Sequence, residues 1–298
     1  MTKILSGKVV RDQIAEDLKK EISRWSLSRA KPRGSKPKLV IIQVGDIPES
    51  NSYINHKIKF GKSIGTAVDH IKLPKNVSQE EINSQLSTLN SQLDVHGIIV
   101  QLPIPESLDK DVVIDAIDPK KDVDGLTSVN TKKLFEGLET GLVPATTKGI
   151  LTLLDYYKIP ISGKKVTIVG RSSLVGKPTA IAFLNRDATV TVCHSKTKDL
   201  AVETQRADIL ISAVGKPGLI TKNHVHKNQV VIDIGTTVID NSQSTIDDSQ
   251  LQPKLVGDVD FDNVSKIVAA ITPVPGGIGP MTVASLFQNL LTAYESKK

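Results

Sequence analysis

Cysteine is almost absent: Cys193 stands alone among 298 residues. One thiol cannot make a disulfide framework or a cysteine-rich metal site, so no metal is expected and a reducing compartment, the cytoplasm, is the default setting. Aromatic residues are 3% of the chain, too few to give a single-strand nucleic-acid binder its stacking platforms. The net charge is +6, but the lysines are spread along the chain and form no basic stripe. No nucleic-acid partner is therefore expected, and the charge suits a small anionic ligand equally well. There is no run of eighteen apolar residues, which excludes a helical membrane span. The opening "MTKILSGKVV" lacks the apolar core and cleavage site of a secretory leader, so none is expected. Internal repeats and low-complexity segments are missing too.

What is present is a globular composition, 39% hydrophobic and 23% charged, in a chain long enough for two domains. Short β-branched runs alternate with amphipathic stretches. "VVRDQIAEDLKKEISRW" places Val10, Ile14, Leu18 and Ile22 at helical spacing, and "SQEEINSQLSTLN" does the same behind a good N-cap. "KLVIIQVGD" and "HGIIVQLPIP" read as buried strands, the second stopped by Pro103 and Pro105. "KGILTLLDYYKI" reads as a helix. Five further strand-like runs follow: "KKVTIVG", "ATVTVC", "ADILISAVG", "QVVIDIG" and "IVAAITPV". This alternation predicts an α/β fold with mostly parallel sheets. The boundary falls near residue 148, giving a first domain over 1–148 and a dinucleotide-binding domain over 149–279. A last helix over 280–298 completes the first domain.

The most informative local pattern is "KKVTIVGRSSLVGKPTAIAFL". A buried strand ends at Gly170 and a helix begins near Val175–Pro178, with Gly170 and Gly176 in the loop. Strand, glycine loop and helix together offer backbone N–H groups and a helix N-terminus to a phosphate. The spacing is wider than G-x-G-x-x-G, so the loop alone also reads as a plain βα turn. The next strand, "ATVTVC", runs into "HSKTK" with no carboxylate at its end. Arg171, His194, Ser195, Lys196 and Lys198 instead cluster donors and positive charge there, which favours NADP over NAD. Taken singly, Arg171 and His194 read equally well as surface residues.

Four other stretches carry polar groups. "SNSYINHKIK" has Ser50, Asn51 and Ser52 as candidate helix caps, and Tyr53 and Lys57 share one face of the helix that follows. Lys59 lies about 200° round that helix from Lys57, and His56 has no assigned role. "VQLPIP" puts Gln101 at the C-terminal end of a strand, where α/β proteins place ligand groups. "PKKDVDGLTS" holds Asp122 and Asp124, and "TPVPGGIGPMT" is a stiff loop with open N–H groups. Each also has a plain reading: Gln101 as a partner for neighbouring backbone, Asp124-Gly125 as a turn, the Pro/Gly loop as a connector.

Over essentially its whole length the chain resembles the methylenetetrahydrofolate dehydrogenase/cyclohydrolase family. The resemblance rests on "SNSYINHK", "GIIVQLPIP", "PKKDVDGLTS", "VGRSSLVGKP", "ATVTVCHSKT" and "AITPVPGGIGPMTVASL", in that order. It implies an N-terminal α/β catalytic domain, a Rossmann-type NAD(P)-binding domain and a cleft between them. It implies oxidation of 5,10-methylenetetrahydrofolate with NADP, hydrolysis of the methenyl product to 10-formyltetrahydrofolate, and a homodimer in one-carbon metabolism and purine biosynthesis. Lys57 matches the family's essential lysine, Tyr53 its aromatic neighbour over the substrate, Gln101 the glutamine bonded to the lysine, and Asp124 the pterin anchor. Val100, Leu102, Pro275, Gly276, Gly277, Gly279 and Pro280 fall in motifs that line the folate site. Arg171 and Ser195 match the residues on the 2′-phosphate, and Gly170, Ser172, Val175, Gly176, His194, Thr236 and Thr282 fall in cofactor motifs. Two departures occur: Pro144-Ala145-Thr146-Thr147 replaces a common Pro-Cys-Thr-Pro, and Gly235-Thr236-Thr237 a common Gly-Ile-Asn.

The chemistry agrees. Hydride loss from a carbon between two nitrogens needs alignment more than acid–base help. Hydrolysis needs a group that moves protons, and an ordinary lysine, with a pKa of about 10.4, must be shifted by burial or by a nearby cation to serve. Two rivals share parts of the pattern: another two-domain NADP oxidoreductase, and a non-catalytic binding protein of the same fold.

Overall fold

The computed structural model describes residues 1–27, 36–239 and 254–296, which fall into two compact units. One comprises Arg11–Lys148 and Thr282–Lys298, the other Met1–Val10 and Gly149–Met281. Residues 297–298 of the expected last helix lie outside the described residues.

The first unit is built on three parallel strands in the order Ala67–Leu73, Lys38–Val44, Gly97–Val100. The central strand "KLVIIQV" is buried along nearly its whole length, as expected of a parallel strand covered on both faces. Val40, Ile42, Val44, Ile98 and Val100 form a core with Ile82, Leu86 and Leu89 of the helix Gln79–Ser91. That helix starts on a full capping box, in which Ser78 accepts from the Glu81 N–H and the Glu81 carboxylate accepts from the Ser78 N–H.

The helix that carries Tyr53 and Lys57 spans Pro48–Ile64, so it begins earlier than the expected cap at Ser50–Ser52. Ile47 is its N-cap and makes no side-chain cap bond. Pro48 explains the difference: it has no N–H to satisfy and its fixed φ suits the first helical turn. Ser50 lies inside the helix and is buried. The strand Ala67–Leu73 has no counterpart in the sequence reading, because "AVDHIKL" carries the polar residues of a sheet edge.

The second unit is a six-stranded parallel sheet in the order Lys3–Ile4, Ala270–Ile271, Val230–Asp233, Ile209–Ser212, Lys165–Val169, Thr189–Cys193. The first ten residues, read from sequence with the other domain, join this unit because Lys3–Ile4 pairs with Ala270–Ile271. From Lys165–Val169 the chain moves one way to Thr189–Cys193 and then crosses to Ile209–Ser212 on the other side. The strand order therefore reverses between Lys165–Val169 and Ile209–Ser212, the place where doubly wound sheets bind nucleotides. A short antiparallel pair, Thr237–Ile239 with Lys254–Val256, accompanies the sheet. No helix among the described residues is long and apolar enough to cross a membrane.

Candidate functional site

In the three-stranded unit, Lys57 and Gln101 meet. Lys57 is only 7% exposed, on the inner side of its helix, while His56 and Lys59 are exposed. Its Nζ donates to Gln101 Oε1 at 2.9 Å. Gln101 follows the strand Gly97–Val100 and is pinned by its own N–H to the Ile42 carbonyl at 2.8 Å. Its Nε2 donates to the Leu102 carbonyl at 2.8 Å, which fixes the amide with its oxygen toward the lysine. Gln101 is thus committed to accepting from Lys57, and a neutral amine held this way keeps its lone pair open. Burial lowers the Lys57 pKa below its usual value, with the Asp124 carboxylate opposing. Burial likewise raises that of Asp124, with Lys57 opposing and Asp122 reinforcing the rise. The two groups move toward each other in proton affinity, a pattern suited to proton transfer.

Asp122 and Asp124 differ in what they have left to offer. The Asp122 carboxylate is buried and accepts from the N–H groups of Gly125 (2.9 Å), Leu126 (3.2 Å) and Thr127 (2.8 Å) and from Asn130 Nδ2 (2.9 Å). It is spent on holding the loop. Asp124 is half-buried as a residue, and its carboxylate accepts no hydrogen bond among the described residues. Gly125 sits at φ +71, and a Cβ there would stand 2.7 Å from the Leu142 carbonyl oxygen and from Pro144 N, so only glycine allows the turn after Asp124.

The other predicted residues divide. The Tyr53 ring is 41% exposed one helical turn before Lys57. Val100 is buried in the core. Leu102 is partly exposed. Thr282 lies in this unit, its hydroxyl 3.2 Å from that of Thr146. Pro275, Gly276, Gly277, Gly279 and Pro280 belong to the six-stranded unit, where Gly276 and Gly277 are buried and Pro275 and Gly279 exposed.

In the six-stranded unit, Gly170 leaves the end of Lys165–Val169 at φ +119, packed so closely that a Cβ would run into the Ala213 carbonyl. Its N–H donates to the Cys193 carbonyl at 2.9 Å. With Val169 paired to Cys193, Arg171 and Ser195 leave adjacent parallel strands at matching positions, and both are exposed. The helix Gly176–Leu184 follows. The expected open N–H groups at its start are partly taken: Ser172 Oγ accepts from Val175 N at 3.2 Å and Gly176 N at 3.3 Å. His194 is half-buried, with its Nδ1 accepting from the Lys196 N–H at 3.1 Å, and Thr236 is exposed. A guanidinium, a hydroxyl and an ammonium gathered at a strand end without a carboxylate fit a 2′-phosphorylated ribose.

Sequence reasoning missed two buried polar pairs, Asp233 with Asp258 and Lys148 with Asn289. Asp233 and Asp258 brace the loops beyond Ser212 and Asp233, and Lys148 donates to Asn289 Oδ1 at 2.9 Å. The partners are 25 and 141 positions apart, so no local pattern marks them.

Comparison with known proteins bears on the whole chain. The family model for the tetrahydrofolate dehydrogenase/cyclohydrolase catalytic domain matches residues 5–124, and that for the NAD(P)-binding domain of the same enzymes matches residues 144–298. The chain is 42% identical over 295 residues to the bifunctional protein FolD of Nitratiruptor sp., covering 99% of each. Among solved structures it is similar to the bifunctional methylenetetrahydrofolate dehydrogenase/cyclohydrolase of Campylobacter jejuni, with a TM-score of 0.93, 38% identity and 100% of both chains covered. It is also similar to the Trypanosoma brucei dehydrogenase–cyclohydrolase solved with NADP and an inhibitor, with a TM-score of 0.92, 35% identity, and 99% and 98% of the two chains covered.

Proposed function

The chain belongs to the tetrahydrofolate dehydrogenase/cyclohydrolase family, and from that premise we propose how its residues divide the two reactions. The enzyme oxidises 5,10-methylenetetrahydrofolate to the 5,10-methenyl form and hydrolyses that to 10-formyltetrahydrofolate. NADP, when bound, supplies the hydride acceptor. Arg171 and Ser195 hold its 2′-phosphate, and the loop from Gly170 to Gly176 with His194 and Thr236 holds the rest. In the first step the protein's task is alignment. Asp124 anchors the pterin by accepting from its amino group and ring N–H, and Tyr53 covers it.

In the second step Lys57 is the acid–base group. As the neutral amine it takes a proton from water while the oxygen bonds to the methenyl carbon. As the ammonium it then gives that proton to the ring nitrogen whose bond to the carbon breaks. The hydroxyl proton leaves to solvent as the formyl carbonyl forms, so one water is consumed and one proton released. The observation that carries this reading is the buried Lys57 Nζ, lowered in pKa and held by a glutamine that can only accept.

The Lys57→Met enzyme should fold, bind NADP and lose methenyl hydrolysis by a factor of about 10² to 10⁴. Decay of methenyl absorbance measures it, and hydrolysis at the parent rate in the purified variant refutes the assignment. The formyl product suits purine biosynthesis, and a chain whose one cysteine is buried suits a reducing cytoplasm. Thr189–Cys193 is a sheet edge with Thr191 and Val192 exposed, which supports a homodimer formed over that edge.

A further inference from the structure

Lys148 and Asn289 lie outside every role assigned above. Asn289 sits inside the helix Ile278–Glu295 and is 1% exposed. Its amide is almost fully used. Oδ1 accepts from Lys148 Nζ, and Nδ2 donates to the carbonyls of Val123 and Val143, each at 2.9 Å. Those carbonyls belong to the two segments that frame Asp124. Val123 precedes it directly. Val143 precedes Pro144 and Ala145, and the Ala145 N–H donates to the Asp124 carbonyl at 3.2 Å. The bonds close a ring that runs from Asn289 through Val123, Asp124, Ala145 and Val143 back to Asn289. Asp124 is therefore held at the peptide on each side of it, directly by Asn289 through Val123 and, on the other side, by the Ala145 N–H of the segment that Asn289 holds through Val143.

Lys148 determines which way that side chain faces. An amide reversed by half a turn would point its oxygen at two carbonyls and its N–H groups at an ammonium. With Nζ in place only one orientation makes all three bonds. This is an expensive arrangement: Lys148 is largely buried, its pKa is lowered by burial to about 8, and its ammonium donates to Asn289 Oδ1. An apolar pair would fill the same space without that cost. What the polar pair adds is a fixed position for the Val123–Asp124 peptide.

We propose that Lys148 and Asn289 are positioning residues for the pterin anchor: Lys148 orients the Asn289 amide, and Asn289 sets the place of Asp124. The inference rests on the reading of Asp124 as that anchor.

The test uses the full-length enzyme and the KM values for methylenetetrahydrofolate and for NADP. The variants are Lys148→Met, Asn289→Asp, Asp124→Ala and the two doubles with Asp124→Ala. Asn289→Asp keeps the volume and the partner of Lys148 but removes both donors to the carbonyls, so it carries the test should Lys148→Met fail to fold. Each positioning variant should raise the folate KM roughly tenfold, the scale of one or two lost hydrogen bonds, and leave the NADP KM within about twofold. In the Asp124→Ala background neither should add anything, because each acts through Asp124. Losses that multiply in the doubles, or equal rises for both ligands, overturn the inference alone. A parental folate KM in Asp124→Ala overturns the anchor reading and the inference with it.

Discussion

Asp233 should make the six-stranded unit less stable as pH rises through the slightly acidic range. It ends the strand Val230–Asp233, is 3% exposed, and accepts from the N–H groups of Gly235 (3.0 Å), Asp258 (3.0 Å) and Val259 (2.9 Å). Burial pushes its pKa up from 3.8 to about 6, with the Asp258 carboxylate adding to the rise and the three N–H donors opposing it. Between those values the folded chain keeps a proton that the unfolded chain has lost, so the unfolded state gains stability as pH rises. At about 1.4 kcal/mol per pH unit the full effect is about 3 kcal/mol, of which roughly half falls between pH 5 and 7.5. The perturbation is Asp233→Asn, which is neutral throughout. The assay is native-state hydrogen exchange at the amides of Gly235, Asp258 and Val259, at pH 5 and pH 7.5. The opening free energy of the parent, minus that of the variant, should fall by about 1.5 kcal/mol between the two pH values. His70 and His224, whose pKa values burial lowers, lose stability as pH falls, but they are present in both proteins and cancel. A parent-minus-variant difference that stays constant with pH refutes the reasoning.

Two further outcomes are expected. Gly97→Ala should cost about 1–3 kcal/mol in urea denaturation, because its Cβ would stand 2.7 Å from Leu290 Cδ1 and 2.7 Å from Val123 Cγ1 in a packed core; an unchanged midpoint counts against that packing. Lys59→Ala should leave both activities within about twofold of the parent in steady-state assays, since Lys59 is exposed where Lys57 is buried; a large loss in either activity places Lys59 in the chemistry.

The buried strands were legible because a parallel strand covered on both faces must be mostly apolar, as residues 39–42 of Lys38–Val44 and 209–211 of Ile209–Ser212 are. Ala67–Leu73 escaped because an edge strand need not be, and Lys3–Ile4 because a two-residue strand has no period to read. The helix cap was misplaced because Ser50, Asn51 and Ser52 are good caps in principle, whereas Pro48 needs no cap for its missing N–H. None of these errors touches the candidate site, since Lys57 stays on the helix and Gln101 on the strand end whichever residue starts the helix.

The two aspartates of "DVD" show the limit more sharply. They have the same side chain, lie two positions apart and sit in one loop, and nothing in composition or spacing ranks one above the other. Hydrogen-bond accounting separates them. Asp122 has four donors on its carboxylate, and with that much commitment it can offer a ligand little. Asp124 has its backbone held at both peptides and its carboxylate unclaimed among the described residues. A recognition group needs this combination, a fixed base and an open head, because any freedom in the base would be lost on binding at a cost in affinity. The donors that fix the base come from Asn289 and Ala145, the first 166 positions from Val123 and the second 21 from Asp124. The reading of Asp124 as the pterin anchor thus rests on the folded chain's hydrogen bonds, and the local sequence supplies only the candidate.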